Sequence, residues 1–455
     1  MINEAFFERM KSLLGEGYAE FESALAEPPV RGVRENPIKC RTSLAESALP
    51  LSPLSYYEGG YALTEEIAIG KTPEHHSGMI YVQDPGAMST LSAVDIPKGA
   101  FVLDTCAAPG GKASQLSAAV GEEGFVIANE YVPKRAKIIV GNFERLGIGN
   151  AMITSLDTAE LAKHFDGAFD LVLCDAPCSG EGMFRKSQNA LDDWSPENVR
   201  ACAERQGTIL DNIAGLTRPG GYLLYSTCTY SLEENEMTVD RFIEKHPEYS
   251  LVPVKEKLRA VTADGIAFEG AKCDSLALCR RFYPHVSRGE GQFIALLKRS
   301  EKAPKMQSIV YKDASKSITK DERRVIDAFF GESLETTPVG RIVKHGENIV
   351  LISHGCPLLP RSVFMYGTLL GEVAKGNFKP SHHFFSVYGG LFKQKIELSG
   401  DSDKLSAYLR GEEINVDPTY RGWCAVTYMD AVIGGGKASG GTLKNHYPKG
   451  LRELK

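Results

Sequence analysis

Two cysteines stand at the ends of predicted strands, where their thiols could serve one reaction. Cys178 follows the apolar run Phe169–Ala176, and Cys228 ends the apolar run Tyr222–Cys228. Because the carboxyl ends of parallel strands meet at one edge of a sheet, we expect both thiols to face the same crevice. Asp175 lies just before Cys178, so its carboxylate is expected beside them. A cysteine thiolate is a nucleophile, and this triplet therefore predicts covalent catalysis.

Two thiols and a carboxylic acid form a complete set for methylating carbon 5 of a pyrimidine. That carbon becomes nucleophilic only after a thiolate adds to carbon 6 of the ring. A second group must then help to remove the C5 proton, so that the attacking thiol can leave. An acid near ring N3 and the exocyclic amine, here Asp175, would stabilise the charge that develops. The spacing alone leaves open which of the two cysteines attacks.

Other interpretations of these cysteines fit the pattern less well. A lone cysteine at a strand end is most often a small buried hydrophobic residue. Zinc needs four ligands at a recognisable spacing, and Cys174 and Cys178 lack such partners, so no metal site is predicted. A disulfide is not expected in a reducing cytosol. An amino-group methyltransferase would carry an aromatic residue where Cys178 stands.

A glycine-rich turn follows the first predicted strand and opens a helix. Such strand ends bind ligands, glycines allow a close backbone approach, and the helix start offers free N–H groups. A phosphate-binding P-loop would need glycine at Cys106 and serine or threonine at Ala113, and G-x-G-x-x-G is absent. We interpret the turn as the site for the methionine part of S-adenosylmethionine. The predicted contacts are Cys106, Ala107, Ala108, Pro109, Gly110, Gly111, Lys112 and Asp175.

Acidic residues after the next two strands fit the same cofactor. Glu130 could accept hydrogen bonds from both ribose hydroxyls, and Asp157 could accept one from the adenine amino group. Arg135, in the helix that follows Glu130, completes the predicted cofactor site. Taken singly, Glu130 and Asp157 would be interpreted as ordinary solvated loop acids. Their place at successive strand ends favours the cofactor.

The elements that must position these residues alternate between strands and helices. The predicted strands are Phe101–Ala107, Phe125–Glu130, Ala151–Ser155, Phe169–Ala176, Tyr222–Cys228 and Gln292–Arg299. The predicted helices are Lys112–Val120, Pro133–Leu146, Pro196–Leu216 and Glu233–His246, with a further helix near Glu4–Leu14 in the N-terminal module. The third of these helices is expected to stop at Pro219-Gly220-Gly221. This alternation predicts an α/β fold with a doubly wound, mostly parallel sheet.

Composition excludes several classes of protein. A chain of 455 residues with 43% hydrophobic residues is globular, and at roughly 150 residues per domain it predicts about three domains. A net charge of −6 excludes a uniformly basic nucleic-acid coat, although a local basic groove remains possible. Ten cysteines are too few for a disulfide scaffold. With no apolar span and no signal peptide, we expect a cytoplasmic protein that makes no membrane contact.

The motifs around Lys112, Cys178 and Cys228 resemble those of the NOL1/NOP2/Sun family of RNA 5-methylcytosine methyltransferases. The upstream segment Gln83-Asp84-Pro85-Gly86-Ala87-Met88 is similar to the family's lead-in to the cofactor pocket. The resemblance implies a Rossmann-like methyltransferase with a seven-stranded sheet. It also implies that Cys228 is the nucleophile, that Cys178 is needed for product release, and that Lys112 and Asp175 line the site.

Both ends of the chain extend the resemblance. Arg34–Lys39 is similar to the Arg-x-Asn-x-x-Lys segment of family N-terminal modules. Gly371-Glu372 with Asn377–His382, and Gly422-Trp423 with Leu443–Arg452, resemble the intermediate and PUA-like domains of RsmF-type ribosomal RNA methyltransferases. The implied partner is 16S ribosomal RNA or the small ribosomal subunit, with the target in the decoding region. We expect the protein to act as a monomer.

The predicted domains follow from these segments. They are an N-terminal accessory RNA-binding module at 1–75, a catalytic domain at 76–300, a linker at 301–320, an intermediate domain at 321–390 and a PUA-like domain at 391–455. The C-terminal tail mixes basic and aromatic residues, which suits phosphates and unpaired bases, although a solvated basic terminus is the simpler alternative. The predicted RNA contacts are Lys444, His446, Tyr447, Lys449 and Arg452.

Two other functions stay open from the sequence. A transfer-RNA methyltransferase would use the same chemistry, so only its substrate RNA would separate it from a ribosomal RNA enzyme. A non-catalytic RNA-binding assembly factor could keep the fold without the reaction. The presence of Cys178, Cys228, Asp175 and Lys112 together argues against that factor, because a decayed enzyme usually loses one of them.

Overall fold

The computed structural model describes residues 2–40, 44, 47–287, 289–303, 313–353, 355–356 and 358–452. Residues 304–312 of the predicted linker lie outside this part of the chain. Among the described residues, no helix has the length and apolar character needed to cross a bilayer. The domain boundaries stay predictions, and the sheets are described below in chain order.

The chain begins with two helices and a four-stranded antiparallel sheet. The helices are α1 (Glu4–Leu14) and α2 (Tyr18–Ala26), and α1 has the predicted bounds. The strands are β1 (Gly32–Glu35), β2 (Leu51–Pro53), β3 (Gly60–Leu63) and β4 (Ile80–Val82), in the order β2-β3-β1-β4. Two short helices follow, α3 (Pro73–His76) and α4 (Pro85–Ser89). The N-terminal sheet therefore reaches past residue 75, where the module was predicted to end.

A ten-stranded sheet forms the centre of the molecule. Its strands are β5 (Phe101–Asp104), β6 (Phe125–Asn129), β7 (Ala151–Thr154), β8 (Phe169–Asp175), β9 (Thr217–Thr227), β10 (Tyr249–Leu251), β11 (Ala263–Asp264), β12 (Arg280–Phe282), β13 (Gln292–Arg299) and β17 (Val363–Tyr366). The order is β11-β12-β13-β9-β8-β5-β6-β7-β17, with β10 also paired to β13. Strands β5 to β9 pair in parallel, as the apolar strand sequences predict.

Helices fill both faces of this sheet and bury two separate apolar cores. They are α5 (Gly111–Val120), α6 (Pro133–Leu146), α7 (Thr158–Ala162), α8 (Gln188–Asp193), α9 (Pro196–Ile213), α10 (Glu236–Lys245) and α11 (Glu256–Arg259). The predicted doubly wound α/β fold is thereby confirmed. The sheet has ten strands rather than seven because β11 and β12 extend one edge and β17 covers the other.

The Pro-Gly-Gly segment behaves differently from the prediction. We expected it to end helix α9, but the helix ends earlier, at Ile213, and Pro219-Gly220-Gly221 lies inside β9. A register shift between Phe169 and Leu171 of the neighbouring strand accommodates the irregular backbone. The left-handed φ of 76° at Gly220 shows where the strand needs glycine.

Three polar side chains of the Arg34–Lys39 segment tie the N-terminal sheet to the rest of the molecule. Arg34 donates to Ser114 Oγ at 2.7 Å and to the Gly111 carbonyl at 3.2 Å, both in α5. Asn36 donates to the Leu146 carbonyl at the end of α6, at 2.9 Å. All three side chains are buried, so they act as internal ties and not as an exposed RNA surface. The third, Lys39, is described with the C-terminal sheets.

Two five-stranded sheets complete the chain. The first contains β14 (Lys316–Ser317), β15 (Arg341–His345), β16 (Asn348–Ile352), β18 (Thr368–Ala374) and β19 (Asn377–Pro380). The second contains β20 (Lys395–Glu397), β21 (Ile414–Asn415), β22 (Gly422–Tyr428), β23 (Ala431–Ser439) and β24 (Thr442–Asn445). The accompanying helices are α12 (Lys320–Ser333), α13 (His382–Tyr388) and α14 (Ser402–Leu409).

These C-terminal sheets are joined to the rest of the chain by a strand and by a buried lysine. Strand β17 pairs with β7 at the edge of the central sheet. Lys39 Nζ donates to the Val432 carbonyl of β23 at 2.6 Å. Strand β7 leads to Asp157, the predicted adenine contact. The C-terminal part of the chain therefore pairs with a strand that ends near the predicted cofactor site.

Candidate active site

The two predicted thiols meet. Cys178 Sγ and Cys228 Sγ are 3.2 Å apart, within hydrogen-bond distance and well beyond the S–S bond of a disulfide. The hydrogen bond with Cys228, and then burial, raise the pKa of the Cys178 thiol well above its usual range. Cys178 therefore keeps its proton in the resting site. This is the arrangement that the strand-end motifs predict.

An ion pair between buried Lys112 and half-buried Asp175 lies in the same crevice. Lys112 Nζ is 2.8 Å from Asp175 Oδ2, and Ser226 Oγ donates to Asp175 Oδ1 at 2.6 Å. Burial by itself would lower the pKa of Lys112, but the Asp175 carboxylate and then Cys228 outweigh it and raise that pKa. Lys112 is therefore a fixed cation whose field reaches both the carboxylate and a thiol.

Strand register explains why these side chains converge. Asp175 and Ser226 are directly paired residues of the parallel strands β8 and β9. Lys112 enters from the first turn of α5, above the end of β5. Gly110 caps this helix with a φ of 109°, a left-handed conformation that glycine adopts without strain. The glycine-rich turn thus places the lysine over the carboxyl edge of the sheet.

The cofactor turn contains a carboxylate that we did not single out from the sequence. Asp104 is 1% exposed, and its Oδ2 atom has no hydrogen-bond partner among the described residues. Burial, together with the nearby Asp175, raises the pKa of Asp104 to about 8. A buried carboxyl with one unpartnered oxygen fits the ammonium of a methionine group, and the N–H groups at the helix start fit its carboxylate. Its position at the end of the first strand was the available signal.

Of the other predicted cofactor residues, Glu130 and Arg135 lie close to the glycine-rich turn, whereas Asp157 caps a helix. Glu130 is buried, accepts from the Val132 N–H at 3.0 Å and lies 3.6 Å from Arg135. Arg135 also donates to the Ala108 carbonyl at 3.3 Å, which connects it to the glycine-rich turn. Asp157 is exposed and caps α7 by accepting from the Ala159 N–H. Asp157 therefore has a structural role whether or not it contacts adenine.

Asn129 is a second residue that sequence reasoning missed. Its side chain donates to the Thr105 and Leu156 carbonyls at 3.1 and 3.0 Å, and it accepts from Thr154 Oγ1 at 2.8 Å. It therefore joins the segments at the ends of β5, β6 and β7, which carry the predicted cofactor contacts. A polar residue closing an apolar strand was the signal in the sequence.

The predicted RNA contacts of the tail do not form one exposed surface. Lys444 and Lys449 are exposed, and His446 packs against the Trp423 ring at 4.7 Å. The prediction that Tyr447 stacks on an unpaired base is wrong for this structure. Tyr447 is 1% exposed and packs among apolar residues, with its hydroxyl 3.1 Å from His76 Nδ1. Arg452 donates to the Tyr447 carbonyl and stabilises this packing.

Among the described residues, no group of three or more histidines, cysteines, aspartates or glutamates could hold a metal ion. The cysteines nearest the site, Cys106 and Cys174, are free, and Cys174 lies in the buried strand β8.

Known protein families match the chain in three consecutive parts. Residues 92–298 match the family of 16S rRNA methyltransferase RsmB/F. Residues 2–85 match the N-terminal domain of 16S rRNA methyltransferase RsmF, and residues 393–453 match the methyltransferase RsmF PUA domain. The fold and the site define a Rossmann-like methyltransferase with a C-terminal PUA domain.

Individual relatives are similar in sequence to this chain along nearly its whole length. The ribosomal RNA small subunit methyltransferase F of Vibrio vulnificus is 29% identical, with 98% of this chain and 97% of that protein covered. The protein of the same name from Erwinia tasmaniensis is also 29% identical, covering 98% and 96%. A crystallised methyltransferase homolog from Pyrococcus horikoshii has a TM-score of 0.55 and 26% identity, covering 65% of this chain and 95% of that one. Residues 92–298 match the RsmB/F methyltransferase family, and the parts on either side match the RsmF N-terminal and PUA domains, so these models together cover most of the chain.

The raised pKa of Asp104 predicts how the cofactor-free protein responds to pH. The folded state holds the Asp104 proton up to about pH 8, whereas the unfolded state releases it near 3.8. The folded state therefore binds more protons, and stability falls by up to about 1.4 kcal/mol per pH unit between these values. We expect Asp104→Asn to raise the melting temperature by an amount that grows from pH 4 to pH 8.

The matched control for this prediction is Asp157→Asn. It makes the same substitution at an exposed helix cap, where asparagine serves as well as aspartate, so its melting temperature should follow the parent at every pH. Thermal unfolding in a pH series measures both variants. A melting-temperature difference for Asp104→Asn that is independent of pH would contradict the assignment of the buried proton.

Proposed function

We propose that this protein methylates carbon 5 of cytosine in 16S ribosomal RNA, using S-adenosylmethionine. Cys228 is the nucleophile that bonds to C6 of the base, and Cys178 assists release of the product. The observation that carries this proposal is the 3.2 Å contact between the two thiols beside the Lys112–Asp175 ion pair. Transfer to the carbon of a pyrimidine is a reaction in which a nucleophilic thiol and a second proton-accepting group have separate tasks.

The hydrogen bond between the thiols supports the division of roles. In the resting site Cys178 keeps its proton and can donate a hydrogen bond to the Cys228 sulfur. Once Cys228 has bonded to C6, its sulfur is a neutral thioether and a weak acceptor. The hydrogen bond that is the largest cause of the raised Cys178 pKa is then weakened, so Cys178 can release its proton to solvent and accept the C5 proton through its thiolate. The C5=C6 double bond re-forms as the C6–S bond breaks.

Asp175, Lys112 and Ser226 would hold the target base. The Asp175 carboxyl can face N3 and the exocyclic amine of cytosine, the groups where charge develops when a thiol adds to C6. Ser226 and Lys112 restrict the orientation of this carboxyl through bonds of 2.6 and 2.8 Å. Since Lys112 is buried and cationic, it also stabilises negative charge on its neighbours.

The residues present fit the cofactor. S-Adenosylmethionine, when bound, supplies an electrophilic methyl group. The Gly110–Gly111 turn and the Asp104 carboxyl would hold its methionine part, because the turn allows close backbone approach and Asp104 Oδ2 is a buried oxygen without a partner among the described residues. Buried Glu130 would hold the ribose, while Asp157 and the 68%-exposed Tyr131 lie where the adenine would be expected.

The names of the matched families and relatives support small-subunit ribosomal RNA as the substrate. The target cytosine must leave its stack to reach Cys228, at the expense of a few kcal/mol, so an unpaired base is the expected target. The family resemblance favours a base in the decoding region as the target. Exposed Lys444 and Lys449 of the PUA domain are available for phosphate contacts.

A covalent adduct tests the proposed function directly. We expect Cys178→Ala, incubated with S-adenosylmethionine and 16S RNA, to accumulate a protein–RNA adduct that migrates slowly on a denaturing gel. The adduct should vanish in Cys178→Ala/Cys228→Ala, because no thiol remains to attack C6. Parallel reactions with transfer RNA distinguish the alternative substrate.

Two outcomes would contradict the proposal. If Cys178→Ala turns over without an adduct, Cys178 has no part in release. If Cys228→Ala forms the adduct while Cys178→Ala does not, the roles of the two thiols are exchanged, and if the adduct survives in the double variant, another group attacks the base.

A further inference from the structure

Two buried glutamates lie behind the segments that carry the thiols. Glu181 is 2% exposed and Glu234 is 0% exposed. Both carboxylates are held by neutral donors, namely hydroxyls, backbone N–H groups, an indole and a carboxamide. Keeping two carboxyl groups in a protein interior is costly unless their oxygens are fully hydrogen-bonded. The donors to each carboxylate show which segment of the chain that carboxylate holds in place.

Glu234 belongs to the segment after Cys228 but holds the segment that contains Cys178. It accepts from the Ser179 N–H at 2.9 Å and from Ser179 Oγ at 2.5 Å. Gln206 of α9 donates to the same carboxylate at 2.8 Å and to the Pro177 carbonyl at 3.0 Å. The residues on both sides of Cys178 are thus fixed by Glu234 or by its neighbour Gln206.

Glu181 makes the opposite connection. It belongs to the segment after Cys178, and it accepts from Thr229 Oγ1 at 2.8 Å and from the Tyr230 N–H at 3.0 Å. Both donors follow Cys228 directly in the sequence. Trp194 Nε1 donates to the other oxygen of Glu181 at 3.0 Å and orients the carboxylate.

The two glutamates therefore form a reciprocal clasp, in which each segment supplies the carboxylate that holds the other. Ser179 Oγ and Thr229 Oγ1 are 2.9 Å apart and join the two halves. The Gly182 N–H also donates to the Cys228 carbonyl at 2.9 Å. Since the clasp contacts the residues next to both cysteines, it sets the distance between their thiols.

We infer that Glu181 and Glu234 are positioning residues for separate halves of the methylation reaction. Glu181 holds the Cys228 segment for attack on C6, and Glu234 holds the Cys178 segment for removal of the C5 proton. The inference rests on the proposed function, because it assigns each carboxylate to the step that its neighbouring thiol performs. A displacement of about 1 Å at a reacting group can lower a rate by about 10²-fold.

Single-turnover methylation and adduct trapping separate the two halves. We expect Glu234→Ala to transfer one methyl group at close to the parent rate and to accumulate the covalent adduct, with steady-state turnover reduced by about 10- to 100-fold. Glu181→Ala should slow the single-turnover methyl transfer by a similar factor, with no adduct. The matched control is Glu233→Ala, a neighbour outside the clasp whose carboxylate pairs with Arg9 near the surface; it should behave as the parent.

A conservative variant guards against a loss of folding. In Glu234→Gln the carboxamide oxygen can accept from the Ser179 N–H and from Gln206, while its amide can donate to Ser179 Oγ. We therefore expect Glu234→Gln to restore turnover and abolish the adduct. Ser179→Ala, which removes only the hydroxyl bonds, should accumulate less adduct than Glu234→Ala.

The reference variant in the same gel is Cys178→Ala. If it forms no adduct, the proposed function fails, whatever the glutamate variants do. If it forms one while Glu234→Ala turns over normally without an adduct, the positioning role of Glu234 is wrong. The inference is also overturned if both alanine variants lose single-turnover methylation only in proportion to their loss of folded protein by circular dichroism.

Discussion

Replacing Cys228 by serine is expected to lower methyl transfer by at least about 10⁴-fold, the order of loss that follows removal of a covalent nucleophile. Serine keeps the size of the side chain and can still hydrogen-bond to Cys178, 3.2 Å away in the parent. Its hydroxyl is not ionised near neutral pH, so it cannot add to C6 of a pyrimidine as a thiolate does. Transfer of a radiolabelled methyl group from the cofactor to 16S RNA measures the effect.

The control for the Cys228 variant is Cys273→Ser. Cys273 is a free, partly exposed cysteine outside the site, with its sulfur 3.2 Å from Ser275 Oγ. Activity should stay close to the parent, which shows that thiol loss elsewhere is tolerated. Residual activity of Cys228→Ser within about tenfold of the parent would exclude a covalent role for Cys228, since proximity alone would then account for the rate.

Replacing Asp175 by asparagine is the second large effect. The change removes the negative charge and one of the two oxygens that accept from Lys112 and Ser226, together with the acidic group proposed to face the base. Loss of such a group is expected to lower methyl transfer by about 10² to 10⁴-fold. It also leaves Lys112 as a buried, unpaired cation, which should destabilise the fold by about 3–5 kcal/mol. Methyl transfer and urea unfolding measure the two effects separately.

A double variant separates catalysis from stability at this ion pair. Lys112→Met/Asp175→Asn removes the unpaired charge, so most of the lost stability should return while methyl transfer stays low. If activity returned together with stability, Asp175 would serve only to balance the Lys112 charge. If neither activity nor stability returned, the hydrogen bond from Ser226 to Asp175, and not the ion pair, would be the interaction that stabilises this part of the fold.

The sequence predicts the central sheet well because its signals are local. The strand Gln292–Arg299 and the helices Glu4–Leu14 and Pro133–Leu146 have the predicted bounds. Apolar runs and helical periodicity are enough for such elements, since burial on a sheet follows directly from residue type. The course of β9 through Pro219-Gly220-Gly221 was missed, because pairing with β8 outweighs the local turn preference.

The residues of the candidate site were likewise predicted only where the signal was local. Lys112, Asp175, Cys178 and Cys228 could be named from their motifs, because the topology of a parallel sheet brings strand ends together. Asp104 and Asn129 were overlooked, since a polar residue at a strand end does not reveal whether it has a partner. Whether such a group is satisfied depends on the segments packed around it.

The sequence by itself determined the class of fold, the strand-end thiols and the glycine-rich turn, because these depend on short segments with strong local preferences. Only the tertiary structure decided which distant groups meet. In that structure Glu181 accepts from the segment that follows Cys228, and Glu234 accepts from the segment that contains Cys178. Lys39 donates to β23, and Tyr447 is buried. A polar or aromatic side chain takes its role from its partner, and that partner is chosen by packing between segments far apart in the chain.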